Sequence, residues 1–180
     1  MLRKKALALC MATLRLLGTG TAFGQCSWST KVVLTQTTSN QPALAAYTVS
    51  GTTKKIFLAY VGTDSNRTLN VMESTNGTSW GSQTVLTGWQ SSSGVALGGA
   101  PPNFSGCGYL IIAYPNRSNN VLYAGLSGDG YNWSGPVNLS AVATSTPAVD
   151  YSNGDIAYKD SSGRIAVYPA TCSLQIAQPT

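Results

Sequence analysis

Histidine is absent from this chain of 180 residues, and only six residues are acidic, of which Glu73 is the single glutamate. Histidine is the commonest general base and metal ligand in proteins. Its absence therefore removes the usual basis for acid–base catalysis and for zinc binding. Nucleophile elbows, phosphate-binding glycine loops, zinc-type spacings and EF-hand loops are missing as well. We expect neither a cofactor nor a metal.

Charged residues make up only 9% of the chain, and the basic ones are concentrated at its start. The sequence MLRKK, an apolar stretch and the small residues Ala22 and Gly24 together predict a signal peptide over residues 1–24. Its apolar run is too short for a membrane span. Beyond it, seven basic residues against six acidic ones leave a net charge near +1, which removes the main support for nucleic-acid binding. We predict a secreted protein, extracellular or periplasmic.

An internal repeat organises the rest of the chain. Sustained helical periodicity is absent, whereas short runs rich in β-branched and aromatic residues alternate with turn residues. The runs form units at approximately 42–86, 94–139 and 147–172, with a further strand at 31–34. Four antiparallel strands per unit of about fifty residues are typical of a β-propeller blade. Tryptophans and leucines recur in steps of 52 and 53 positions: Trp28, Trp80, Trp133 and Leu34, Leu86, Leu139.

The sequence therefore predicts an all-β fold over residues 25–180, with about three four-stranded antiparallel blades. Because the last unit ends after its third run, the N-terminal strand is expected to complete the last blade.

A short motif marks the connection between the third and fourth runs of two units. It reads STNGTSW at residues 74–80 and SGDGYNW at residues 127–133. Asn or Asp can accept bonds from backbone N–H groups, glycine can adopt positive φ, and serine can anchor the start of the turn. We expect the tryptophan to pack beside the next strand. The motif residues are Ser74, Asn76, Gly77, Trp80, Ser127, Asp129, Gly130 and Trp133.

This motif resembles the Asp-box of the sialidase-like β-propellers, where it recurs at the same hairpin of successive blades. The resemblance extends over the repeats and implies a propeller fold. The first copy has Asn in place of Asp, and both copies have one residue fewer before the tryptophan. In that family the Asp-box lies on the side away from the sugar site, so it indicates architecture rather than activity.

Alignment of the repeats brings Cys26 near Cys172, where the last hairpin has no covalent connection, and predicts a disulfide between them. Cys107 is expected to be a small core residue. Three blades leave exposed sheet edges, so we predict a homodimer that forms a six-bladed ring. The alternatives are an open monomer and a remnant of a longer propeller.

The loops opposite the motif turns carry the candidate binding residues. The resemblance implies an arginine triad that holds the carboxylate of sialic acid, and bidentate guanidinium groups suit that task. The alternative is that each arginine simply solvates its own hairpin, and that the two aspartates of these loops cap turns. These candidates are Arg67, Arg117, Arg164, Asp64 and Asp160.

Catalysis has little support in the sequence. A sialidase needs a tyrosine nucleophile activated by a glutamate, as well as an aspartate, and Glu73 lies at the wrong end of its strand. Tyr60, Tyr114 and Tyr158 recur in register, which favours packing between blades over a nucleophilic role. No catalytic residue is therefore assigned.

Sugar binding requires only an aromatic ring and a few polar groups. Trp89 and Gln90 stand outside the repeated motif, in a segment read as a loop, and are candidate ligand contacts; packing is the alternative for Trp89. The sequence favours a non-catalytic protein that binds a glycan or another extracellular ligand. A sialidase-type hydrolase and a purely structural or adhesion module are the alternatives.

Overall fold

A computed structural model describes residues 31–49, 53–100, 109–150 and 153–169. These residues form eleven β-strands and no helix, so they include no helix that could cross a membrane. The strands are β1 (Ala43–Val49), β2 (Thr53–Val61), β3 (Thr68–Ser74), β4 (Thr84–Gln90), β5 (Ala96–Ala100), β6 (Tyr109–Pro115), β7 (Val121–Ser127), β8 (Ser134–Val142), β9 (Ala148–Val149), β10 (Ile156–Lys159) and β11 (Ile165–Tyr168).

The strands form three antiparallel sheets, each built from consecutive strands. The first sheet has the order β1-β2-β3-β4, the second β5-β6-β7-β8, and the third β9-β10-β11. This confirms the all-β class and the antiparallel pairing, since each sheet follows the run of hairpins that the sequence predicts. Within the described residues the sheets do not close on one another as a barrel.

The predicted N-terminal strand is not formed in the single chain. Residues 31–34 lie outside any strand, and the third sheet has only three strands in the described part of the chain. In the described part of the chain the edge strand β11 pairs with β10 alone, and the completion of the last sheet by residues 31–34 stays a prediction.

The second sheet lies between the other two. Alternate residues of β6 point to opposite faces, as in any strand, and Leu110, Ile112 and Tyr114 join Phe57 of the first sheet in one hydrophobic cluster. On the other face, Ala113 packs in a second cluster that includes residues of the third sheet. The first strands are also neighbours, since β1 contacts β5 and β5 contacts β9.

Three expectations fall on residues outside the described ranges. The signal peptide, the Cys26–Cys172 disulfide and the packing of Cys107 all lie there and stay predictions.

Candidate functional site

The first motif turn joins β3 to β4 and is held by its own side chains. The Ser74 hydroxyl accepts the Gly77 N–H at 2.8 Å and donates to the Ser79 carbonyl at 2.6 Å. Asn76 Oδ1 accepts the backbone N–H groups of Thr78 and Ser79 at 2.9 and 2.8 Å. Gly77 has φ of 74°, a conformation that glycine adopts without steric cost.

The second motif turn, between β7 and β8, repeats this pattern. Asp129 Oδ1 accepts the N–H groups of Tyr131 and Asn132, both at 2.8 Å. Burial acts to raise the pKa of Asp129, but these N–H donors outweigh it and the pKa is lowered. The indole N–H of Trp133 donates to the Gly130 carbonyl at 3.0 Å, as Trp80 does to Gly77 at 3.2 Å. These residues are therefore occupied in holding the turns.

Trp89 lies in a strand and not in a loop, contrary to expectation. It belongs to β4 and only 7% of its surface is exposed. Its ring stacks on Tyr114 with a centroid distance of 6.0 Å and meets the edge of Trp133 at 6.2 Å. Both neighbours cover the ring, which favours the packing alternative for Trp89; contact between Trp89 and a ligand stays a prediction.

The three candidate arginines occupy the equivalent loop of each sheet. Arg67 and Arg117 lie on either side of the β4 end, since the Arg67 carbonyl accepts the Ser91 N–H and the Arg117 N–H donates to the Gln90 carbonyl. Arg164 instead binds Asp160 within its own loop, with Nη2 at 3.0 Å from Oδ2. The three arginines therefore belong to loops of three different sheets, and the triad stays a prediction.

The carboxylates of the two candidate aspartates also accept hydrogen bonds within their own loops. Asp64 accepts bonds from the Thr68 hydroxyl at 2.9 Å and the Thr68 N–H at 3.0 Å, which lower its pKa. The Arg164 N–H donates to Asp160 and lowers the pKa of that carboxyl. Both groups are therefore ionised near neutral pH.

Glu73 is bound at the opposite end of the first sheet from these loops. Its carboxylate lies 2.7 Å from Lys55 Nζ. Burial opposes ionisation, but Lys55 and Tyr131 outweigh it and lower the pKa of Glu73. A carboxylate held in this ion pair is not placed to activate a nucleophile among the loop residues.

A polar cleft lies beside the loop of the first sheet and is the candidate functional site. Its volume is about 470 Å³, within the usual range for small-molecule sites. The lining combines hydroxyl, amide and carboxylate groups: Thr35, Gln36, Thr37, Tyr60, Gly62, Thr63, Asp64, Thr68, Asn70, Gln83 and Val85.

A chain of hydrogen bonds runs across the wall of this cleft. The Tyr60 hydroxyl donates to Gln83 Oε1 at 2.6 Å, and Gln83 Nε2 donates to Asn70 Oδ1 at 2.7 Å. Asn70 in turn donates to the Thr68 carbonyl at 2.9 Å. Burial raises the pKa of Tyr60, so its hydroxyl stays protonated as a donor. The chain orients each polar group, which is what a selective binding wall requires.

Sequence reasoning named only Asp64 among the residues that line this cleft. Tyr60 was assigned to packing, and Asn70 and Gln83 were not singled out. A signal existed for Asn70, because it is an amide in a strand whose neighbours Leu69 and Val71 are buried on the other face. Nothing in the sequence indicated that the segment Thr35–Thr37 would form part of the wall.

No protein-family model matches this chain, and a search of curated proteins found no significant match. Among the described residues, no group of three or more Cys, Asp or Glu side chains could hold a metal ion.

Proposed function

We propose that the protein is a secreted, non-catalytic β-propeller-type binding protein, and that the polar cleft of its first sheet binds a neutral sugar. The cleft itself carries this proposal. The side chains of Thr37, Thr63 and Gln83 are exposed on one concave surface, where they can exchange hydrogen bonds with sugar hydroxyls. Tyr60 and Asn70 are buried and hold Gln83 in place. Of the predicted site residues, Asp64 alone belongs to the cleft.

The packing of the three sheets supports the propeller architecture. Each sheet consists of consecutive antiparallel strands, and the first strands of successive sheets are neighbours. In two of the sheets the turn after the third strand has the same hydrogen-bonding pattern. Successive blades around an axis would produce this arrangement.

The charge of the cleft favours a neutral sugar over an acidic one. Asp64 is ionised, and the described lining residues include neither lysine nor arginine. A sugar carboxylate would meet a like charge without a cation to compensate it. The sialidase-type alternative gains no support from this cleft, since none of the three arginines lines it.

Titration with soluble sugars tests the proposal. Methyl glycosides of galactose, glucose, mannose and N-acetylglucosamine, together with sialyllactose, are added to the chain that begins at Gln25, the residue after the predicted cleavage site. Saturation-transfer NMR reports contact, and product analysis reports turnover. We expect contact from at least one neutral glycoside, no preference for sialyllactose and no hydrolysis.

Gln83→Leu identifies the site of any binding. The substitution removes the acceptor of Tyr60 and the donor to Asn70, and we expect it to weaken binding at least tenfold. Gln41→Leu is the matched control, because Gln41 is an exposed glutamine that lies outside the cleft. Equal loss in both variants, or binding of sialyllactose alone, would overturn the proposal.

A further inference from the structure

The segment that leads into each sheet is bonded to that sheet in the same way. The backbone N–H of Ser39 donates to the Val61 carbonyl at 3.0 Å, and Ser92 donates to Pro115 at 3.0 Å. In the third sheet Thr144 donates to Lys159 at 2.9 Å. Each acceptor lies at the end of the second strand of the sheet that the segment enters. The three lead-in segments are thus structurally equivalent.

What precedes these segments is not equivalent. Upstream of Ser92 and Thr144 lie β4 and β8, the fourth strands of the preceding sheets. Upstream of Ser39 lies Lys31–Leu34, which belongs to no sheet. By the same geometry, Lys31–Leu34 is positioned as the fourth strand of a sheet that would precede the first one.

In the described residues the third sheet has no fourth strand. Its edge strand β11 pairs only with β10 in the described residues. Ile165 and Val167 on this strand are 86% and 58% exposed, and Val33 of the unpaired segment is 77% exposed. Exposed apolar edge strands are templates for pairing with another chain.

Another copy of the chain can supply a partner strand for β11. Ser39 ties the segment to the first sheet, whereas β11 belongs to the third, and the second sheet lies between them with one cluster on each face. In the described residues no β-pairing joins the segment to β11. In two copies arranged head to tail, the segment of each copy could pair with β11 of the other copy.

We propose that Lys31–Leu34 of one copy pairs antiparallel with β11 of a second copy, and that two copies close in this way. The pairing follows the β3–β4 pair, where Leu86 lies opposite Leu69, the second residue of β3. Leu34 is therefore expected opposite Ala166, the second residue of β11, and buried as Leu86 and Leu139 are. The proposal rests on the proposed blade architecture and not on sugar binding.

Solution mass tests the assembly, measured by light scattering on a size-exclusion column over a range of concentrations. The chain from Gln25 is expected to have the mass of two copies. The Val32→Pro/Val33→Pro double variant lacks the backbone donors for pairing in either register and is expected to have half that mass. The Val32→Thr/Val33→Thr control keeps those donors and is expected to stay dimeric.

A mixing experiment tests the head-to-tail geometry. The Ile165→Lys/Val167→Lys variant replaces two apolar side chains of the β11 edge with charges that disfavour pairing and keeps the donor segment, so it too is expected to be monomeric. An equal mixture with the proline variant retains one intact interface and is expected to recover the mass of two copies. The substituted residues of both variants are exposed in the single chain, so we expect both variants to fold. Far-UV circular dichroism checks this.

Three results would overturn the proposal: a single-chain mass at every concentration, a proline variant that stays dimeric, or a mixture of folded variants that stays monomeric. A mass that keeps growing with concentration would indicate an open chain of copies and would also overturn closure by two. Sugar contact is measured in a separate experiment. The proposals of sugar binding and of pairing between copies can therefore fail independently of each other.

Discussion

The two faces of the first sheet differ in chemistry and in packing. Toward the second sheet, Trp89, Tyr114 and Tyr123 form a continuous aromatic stack with centroid spacings of 6.0 Å. On its other face, Tyr60 stands in a polar cleft with Thr37. Counted from the repeated leucines, Trp89 and Thr37 occupy the same position, three residues after Leu86 and Leu34. The two equivalent positions therefore hold a tryptophan at the packed interface between sheets and a threonine at the open cleft.

The largest expected effect comes from removing the buried ring of Trp89 at the interface between the first and second sheets. Trp89→Ala removes a ring that is packed against Tyr114, and we expect a loss of about 3 to 5 kcal/mol in the free energy of unfolding. Thr37→Ala at the equivalent position should change it by less than about 0.5 kcal/mol, because Thr37 is exposed. Urea denaturation measures both, and similar losses would contradict the comparison.

The glycines of the two turns sharpen the same contrast. Gly77 and Gly130 both have positive φ, but a Cβ at Gly130 would lie 2.0 Å from the Phe57 ring, whereas at Gly77 the nearest atom is 3.6 Å away on Ile56. Gly77→Ala adds only the left-handed strain, about 1 to 2 kcal/mol. Gly130→Ala adds a clash with the first sheet, and we expect about 2 to 4 kcal/mol. Thermal unfolding of both variants tests this difference. Equal losses of stability would show that the second turn can shift away from Phe57 without strain.

The smallest effect is a pH dependence that belongs to the second turn alone. The pKa of Asp129 is lowered in the folded state, so its ionised form stabilises the fold above the unfolded pKa of about 4. That contribution is lost as pH falls through the folded pKa. Below pH 4 we expect the wild type to lose about 1 kcal/mol more than Asp129→Asn.

The first turn provides the control for this pH effect, because its Asn76 does not titrate. Asn76→Asp should add an acid-sensitive contribution there. Urea denaturation between pH 2 and 6 measures each difference, and parallel curves for wild type and Asp129→Asn would argue against a role for the Asp129 charge.

Local features of the fold could be predicted well from the sequence. The sequence TLNVMES, one of the short runs rich in apolar and β-branched residues, coincides with β3, residues 68–74, because turn residues bound it on both sides. Likewise, a serine, an Asn or Asp, and a glycine suffice to suggest which groups close each motif turn. These interactions join residues a few positions apart, so they can be inferred without knowledge of the fold.

The candidate site could not be predicted in the same way. Trp89 was expected in a loop because QSSS follows it, yet β4 extends to Gln90 and buries the ring. The arginines do recur at equivalent loops, but Arg164 is paired with Asp160 within its own loop and none of the three lines the cleft. The cleft joins residues from the lead-in segment, β2, β3 and the start of β4, and no local pattern reports that proximity.

The sequence by itself determined the all-β class, the consecutive antiparallel hairpins and the chemistry of the turns, because each depends on side-chain periodicity or on short-range hydrogen bonds. Only the tertiary structure decided which aromatic residue is buried, which polar residues share a cleft and which strands lie at the sheet edges in the described residues. Those properties depend on how one sheet packs against the next, and contacts between residues far apart in sequence determine that packing.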